Sequence, residues 1–230
     1  MSDSPKPREF ELRTYKMRKS RVTASQAGAI QAFGADFLVP DDDSTINGRL
    51  LTQRDSFVLE VGFGMGEATV ALALAQPELG VLAIDVHTPG VGKLIHELAA
   101  HQQTQVRVFE GNALALIEKR IPDGDLDGVR LFFPDPWQKA RHHKRRFVSN
   151  ENMALVASKV GAGGFFHFAT DWENYAEQAH EVLANHPDWE LLPQGQGVPF
   201  AQPAERPRTR FEQRGIDAGR SITDLVALRR

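Results

Sequence analysis

The sequence predicts an α/β fold, a mostly parallel, doubly wound sheet with an antiparallel edge strand. Three observations carry that reading. Apolar runs at 57–61, 81–84, 106–109 and 129–133 recur every 23–25 residues. Helix-like stretches at 67–75, 91–101 and 113–120 fill the intervals, the alternation expected of βαβ units. The first apolar run opens directly into a glycine-rich turn, Gly62-Phe-Gly64-Met-Gly66, and then a helical stretch.

Each later element follows from its own pattern. Thr88-Pro89 fits an N-cap followed by proline in the first helical turn, where the missing N–H costs nothing. Residues 150–160 read as a helix, 163–170 as a fifth strand, 173–184 as a helix and 189–192 as a short strand. Residues 222–228 read as the final edge strand, reached through a long loop at 193–207 rich in Pro, Gly and Gln. Residues 1–50 show no sustained periodicity until a mixed stretch around 24–38. They are expected to form a basic, partly flexible arm and a loosely packed lead-in. Residues 51–230 are then one domain, with 205–230 as a substrate-binding C-terminal segment.

Composition narrows the function. At 41% hydrophobic and 25% charged, with 14 Phe and 3 Trp, the chain can fill a core, which argues against a disordered or fibrous protein. No window approaches a membrane span and the first residues hold no apolar signal region, so a soluble, cytoplasmic protein is expected. Cys is absent, which excludes disulfides, thiolate metal sites and cysteine nucleophiles. The net charge of -3 conceals segregation: residues 1–21 carry +4, residues 205–230 carry +3 and the remainder −10. A polyanionic partner responds to such patches rather than to the mean.

The glycine turn has the form E-x-G-x-G-x-G, with Glu60 two residues before Gly62. The spacing of a dinucleotide site would put a third glycine at Glu67, where an acid is a poor neighbour for a pyrophosphate. The pattern suits a ligand with a cationic sulfonium and a free amino group, whose amino-acid end Glu60 can hold directly or through water. Asp85, ending the second strand, suits paired ribose hydroxyls, and Asn112, after the third, suits an adenine amino group. Ligands of open α/β sheets sit outside the carboxyl ends of the strands, so Glu60, Asp85, Asn112 and Asp135 converge on one crevice.

The fourth strand ends Leu131-Phe-Phe-Pro134-Asp135-Pro136-Trp137. Two prolines fix the carboxylate of Asp135, which can accept the adjacent N1–H and amino donors of a guanine, and Trp137 offers a face for base stacking. The run Lys139, Arg141, His142, His143, Lys144, Arg145 and Arg146 follows. Such runs are more often solvated faces, but beside a reaction crevice this one suits phosphate contacts. The two histidines lack a third ligand at metal-binding spacing, so no metal is expected. Asp171, after the fifth strand, suits a helix N-cap or a site residue. The segment Thr209-Arg210-Phe211-Glu212, carried back by the long loop, is read as functional.

These stretches resemble a known family. Arg13-Thr-Tyr-Lys-Met-Arg-Lys-Ser-Arg21, Glu60-Val-Gly-Phe-Gly-Met-Gly66, Asp85-Val-His-Thr-Pro-Gly-Val-Gly92, Phe133-Pro-Asp-Pro-Trp-Gln-Lys-Ala-Arg-His-His-Lys-Arg-Arg-Phe147, Ala169-Thr-Asp-Trp172 and Pro207-Arg-Thr-Arg-Phe-Glu-Gln-Arg-Gly215 are similar to the bacterial tRNA (guanine-N7-)-methyltransferases. The resemblance implies a Rossmann-like class I fold that uses S-adenosyl-methionine and a guanosine in the tRNA variable loop. It implies a cofactor site of Glu60, Gly62, Gly64, Gly66, Asp85, Asn112 and Asp135, with Asp135 also catalytic. Substrate contacts fall on Lys139, Asp171, Thr209, Arg210, Phe211 and Glu212, and RNA contacts on Arg141, His142, His143, Lys144, Arg145 and Arg146. Two positions differ from the family pattern: Asp85 stands where Glu is common and Asn112 where Asp is common, which implies weaker or shifted contacts. Which tRNAs are chosen, and the oligomeric state, stay open.

The reaction so implied needs no general base, because guanine N7 carries a free lone pair. Positioning does most of the work, and a carboxylate steadies the positive charge on the product. Three other readings compete. A methyltransferase acting on an exocyclic amine of a base shares part of the Pro134–Trp137 turn. A nicotinamide-dependent oxidoreductase is disfavoured by Glu67, and a non-enzymatic RNA-binding protein leaves the acids at the strand ends unexplained.

Overall fold

The structure is a computed structural model that describes residues 14–16, 21–193 and 207–230. Seven strands form one sheet: β1 (Ser56–Val61), β2 (Leu79–Asp85), β3 (Val106–Glu110), β4 (Leu126–Phe132), β5 (Val160–Thr170), β6 (Trp189–Leu191) and β7 (Thr223–Arg229). Their order is β3-β2-β1-β4-β5-β7-β6. The first five are parallel and β7 pairs antiparallel with both β5 and β6. The chain therefore builds outward from β1 to β3, returns, and builds the other half from β4. The switch point lies between β1 and β4, where such sheets open a crevice.

The strands are nearly continuous apolar runs because both faces are covered. One face packs Leu59, Leu131, Phe166 and Phe168 under α5 (Ala113–Arg120), α6 (Asn150–Lys159) and α7 (Glu173–Asn185). The other packs Val58, Val81 and Val108 under α3 (Glu67–Ala75) and α4 (Thr88–Ala100), whose buried Leu94, Ile95 and Leu98 recur at helical spacing. The cap of α4 is His87, one residue earlier than the Thr88-Pro89 pattern implied, and the proline occupies the first turn.

Two regions differ from the sequence reading. The lead-in is not loose. Residues Ala24–Phe37 form α1, started by a capping box in which Thr23 and Gln26 satisfy each other's backbone N–H, and α1 packs along α4. Leu38 then bridges Val108 in parallel, so the lead-in covers the outer edge of β3. A short α2 (Gly48–Thr52) follows. At the opposite edge, β7 is not outermost. The three-residue β6 lies beyond it, and a strand that short offers few open ladder groups.

Trp189 of β6 is fully buried, and its indole Nε1 donates to Met153 O of α6 at 3.1 Å. The long loop read at 193–207 lies almost wholly outside the described residues, which resume at Pro207 before α8 (Arg210–Asp217). No helix among the described residues is long and apolar enough to cross a membrane. Trp189→Phe removes the hydrogen bond while keeping an aromatic ring. It is expected to lower stability by about 1–2 kcal/mol, read from the midpoint of a denaturant titration.

Candidate active site

The turn between β1 and α3 holds three glycines at positive φ: Gly62 at 77°, Gly64 at 62° and Gly66 at 79°. Side chains other than glycine rarely adopt that region, so the turn is available to this sequence because of its glycines. Its closeness to α4 needs a fourth: a Cβ on Gly90 would lie 1.9 Å from Gly64 O. Gly66 is the N-cap of α3 and does not line the cleft described below.

Asp85 locks this turn from the neighbouring strand. Its Oδ2 accepts from Gly64 N at 2.7 Å, and its Oδ1 accepts from Val86 N at 2.7 Å and His87 N at 3.0 Å. Burial raises the Asp85 carboxyl above its ordinary range, and the three backbone donors oppose that rise. A carboxylate offers about four acceptor positions, so about one remains for a ligand hydroxyl.

Glu60 is 2% exposed. Its Oε1 accepts from Thr69 Oγ1 of α3 at 3.0 Å, while Oε2 is buried with no hydrogen-bond partner. Burial pushes its carboxyl up to about 7, against the pull of Arg130 and Thr69. A buried acceptor left open beside a cleft is costly unless a ligand or water completes it.

Around these groups is a cleft of about 310 Å³. Glu60, Gly62, Gly64, Asp85 and Asp135 all line it. So do Thr209, Arg210 and Phe211 from the start of α8. Thr209 is the N-cap of that helix, its hydroxyl accepting from Glu212 N at 3.2 Å. Arg210 Nε pairs with Glu67 Oε1 at 2.7 Å, and the Phe211 ring lies within contact reach of Gly64. The late segment thus returns over the glycine turn.

Asp135 sits between Phe133 and Trp137, both at positive φ (50° and 46°). Two non-glycine residues in that region store strain, which clusters at functional sites and fixes where the carboxylate lies. The backbone amide of Lys16 donates to Asp135 Oδ2 at 2.9 Å. Thr14, Tyr15 and Lys16 line the same cleft, a contribution that no periodicity in the arm revealed.

Several expected site residues are placed otherwise. Asn112 does not line the cleft. It caps α5, its Oδ1 accepting from Leu114 N at 3.1 Å, and Gly111 and Ala113 border the cleft there. Trp137 is not an open stacking face. It is 5% exposed, its Nε1 donates to Thr14 O at 3.1 Å, and Lys16 and Arg145 lie over its ring at 5.1 and 5.0 Å. Asp171 is not a helix cap. Trp172 holds that place, and Asp171 Oδ2 accepts from Arg220 Nε at 2.8 Å. Glu212 lies on α8 outside the cleft lining.

The basic run forms a 3-10 helix, Ala140–Arg145, with Lys139 as its N-cap. Lys139, Arg141 and Lys144 are exposed, whereas His142, His143 and Arg145 are half-buried. His142 titrates below its ordinary value, chiefly through partial burial and then through the cations around it. Arg146 does not face solvent at all, being 1% exposed. It donates to Pro136 O, Asn174 O, Asn174 Oδ1 and Gln178 Oε1, and lies 4.8 Å over the Tyr175 ring. Its guanidinium pins the Asp135 turn to α7 and is not available to RNA.

Residues 54–225 match the family model described as "Putative methyltransferase". The chain is 45% identical over 225 residues to the tRNA (guanine-N(7)-)-methyltransferase of Streptomyces avermitilis, covering 95% of this chain and 75% of that one. It is 41% identical over 220 residues to the enzyme of the same name from Neisseria meningitidis serogroup C, covering 94% and 90%. The chain belongs to the tRNA (guanine-N(7)-)-methyltransferase family. Among solved structures, the 16S rRNA methyltransferase KamB superposes with a TM-score of 0.53 at 18% identity, covering 78% of this chain and 89% of that one. The aminoglycoside resistance methyltransferase NpmB1 gives 0.51 at 12%, covering 81% and 95%. At those identities the likeness concerns the fold alone, a fold now shared by this family member.

The burial of Arg146 separates it from its neighbours in a measurable way. Arg146→Ala strands several buried acceptors and is expected to cost about 2–4 kcal/mol in chemical denaturation. Arg141→Ala, on the exposed side of the same helix, is expected to stay within about 0.5 kcal/mol of the parent.

Proposed function

We propose that the chain transfers a methyl group from S-adenosyl-methionine to N7 of a guanosine in tRNA, with a variable-loop guanosine as the target. The observation that carries this reading is that one cleft is lined both by Glu60, with its open buried oxygen, and by Asp135 on its strained turn. The donor's chemistry fits the residues present. Glu60 Oε2 suits the ammonium of an amino-acid end, the remaining acceptor capacity of Asp85 suits a ribose hydroxyl, and the glycine turn admits close approach of the ligand to the main chain. When bound, S-adenosyl-methionine supplies an electrophilic methyl on a sulfonium.

Asp135 is assigned to the guanine, accepting its N1–H and amino hydrogens so that the ring is held in line for attack by N7. No group need remove a proton first. As positive charge develops on the ring, the same carboxylate stabilises it in a partly desolvated cleft. Thr209, Arg210 and Phe211 close the cleft from above the glycine turn. Lys139, Arg141 and Lys144, exposed on the adjoining 3-10 helix, are the groups assigned to tRNA phosphates. Asp171 supports α8 and its approach rather than meeting the base directly: it anchors Arg220, and a Cβ on Gly215 of α8 would lie 3.0 Å from it.

The test is incubation of the purified chain with labelled S-adenosyl-methionine and unmodified tRNA, followed by digestion to nucleosides. The label is expected in 7-methylguanosine, and label in an N2-methylated guanosine would replace this reading with amine methylation. Asp135→Ala is expected to lower turnover by at least about 10³-fold with an unchanged thermal transition. Activity within a few-fold of the parent would remove Asp135 from its assigned role.

A further inference from the structure

Beneath α3, an acid and a base are buried side by side. Glu60 of β1 and Arg130 of β4 are register partners on adjacent parallel strands, so both side chains leave the same face of the sheet. Each is only 2% exposed. The α3 segment covers both. Thr69 donates to Glu60 Oε1 at 3.0 Å, and Gln76, directly after the helix, accepts from Arg130 Nη2 at 2.9 Å through its Oε1. The guanidinium is thus tied to a neutral amide rather than to the carboxylate, and Glu60 Oε2 is left without a partner.

That arrangement differs from an ordinary buried ion pair. A forked guanidinium–carboxylate contact would occupy the oxygens it neutralises. Here the positive charge lies alongside the acid and offsets the cost of ionising it, yet leaves one buried oxygen of this cleft-lining residue without a hydrogen-bond partner. We propose that Arg130 is a positioning residue, the buried countercharge that keeps Glu60 ionised so that Oε2 can receive the ammonium group of the methyl donor. The proposal rests on the reading of the cleft as an S-adenosyl-methionine site. It adds a residue that contacts neither donor nor base and acts through Glu60.

The surroundings leave little else to do this. Among the described residues that act on Glu60, Thr69 of α3 supplies a neutral hydroxyl, Asp85 at the end of β2 adds negative charge, and Arg130 is the cation. The next register partner of Arg130 is His167 of β5, whose Nε2 lies 2.9 Å from Asp224 of β7, so that histidine has an acid of its own. Burial moves the Glu60 carboxyl up to about 7 even with Arg130 present. The ionised form is therefore held only marginally near neutrality, and loss of the guanidinium displaces the balance toward the neutral acid.

The experiment is calorimetric titration of the full chain with S-adenosyl-homocysteine from about pH 6 to about pH 9. In the parent, affinity is expected to weaken as pH falls through about 7, because a protonated Glu60 no longer attracts an ammonium. In Arg130→Met the midpoint is expected to rise. A rise of about one pH unit weakens binding about fivefold near pH 7 and lets the curves converge at the alkaline end. Arg130→Lys, which keeps the charge, is expected to stay near the parent midpoint. A uniform loss of affinity in Arg130→Met with an unmoved midpoint would reduce Arg130 to packing and overturn the proposal. A parent that binds no S-adenosyl-homocysteine at any pH would instead overturn the donor reading itself. Where Arg130→Met does not fold, the carboxyl carbon of Glu60 is titrated by NMR in the parent. A midpoint near 7 supports the countercharge, and a carboxyl still neutral above about pH 9 overturns it.

Discussion

The carboxylate of Asp85 holds the main chain of the glycine turn, and the cleft depends on that contact. Three backbone amides, from Gly64, Val86 and His87, converge on one side chain. The bonds join the β1–α3 turn to the end of β2 and the start of α4. They also hold Gly64 against Gly90 so closely that a Cβ on Gly90 would meet the Gly64 carbonyl. Glu60, one strand-end away, then meets a wall whose shape is already set.

On the other side of the switch point a second anchor does equivalent work. The Asp135 turn is strained at both flanks and is held down by Arg146, which gathers carbonyl and amide oxygens from the turn and from α7. Strain of this kind persists only where the surroundings over-determine it. Trp137 contributes from within the turn, linking it to Thr14 of the arm. Groups read as ligand-facing, a tryptophan and an arginine, instead keep the carboxylate in place. Lys139, Arg141 and Lys144, on the same 3-10 segment, stay exposed instead.

Much of this was legible along the chain. The period of the apolar runs gave the parallel half of the sheet, and the positive-φ turn followed from Gly62, Gly64 and Gly66. The acids at strand ends were correctly gathered on one crevice for Glu60, Asp85 and Asp135, because a parallel sheet puts every carboxyl end on one rim. Asn112 escaped that rule, since its side chain closes the first turn of α5. Arg130 carried a signal that passed unread, a lone charged residue inside an apolar strand, which calls for a buried partner.

The sequence by itself determined the local chemistry: where the chain turns, which segments pair in parallel, and which residue types stand at the strand ends. Those depend on neighbours within a few positions and on a period that burial imposes. Tertiary structure decided which polar groups are free. Whether Arg146 meets solvent, whether Trp137 shows a face, and whether Glu60 has a cation beside it depend on residues distant in the chain. The physical reason is that a side chain's availability is set by what has already claimed its hydrogen bonds and its water, and those claimants are assembled only by folding.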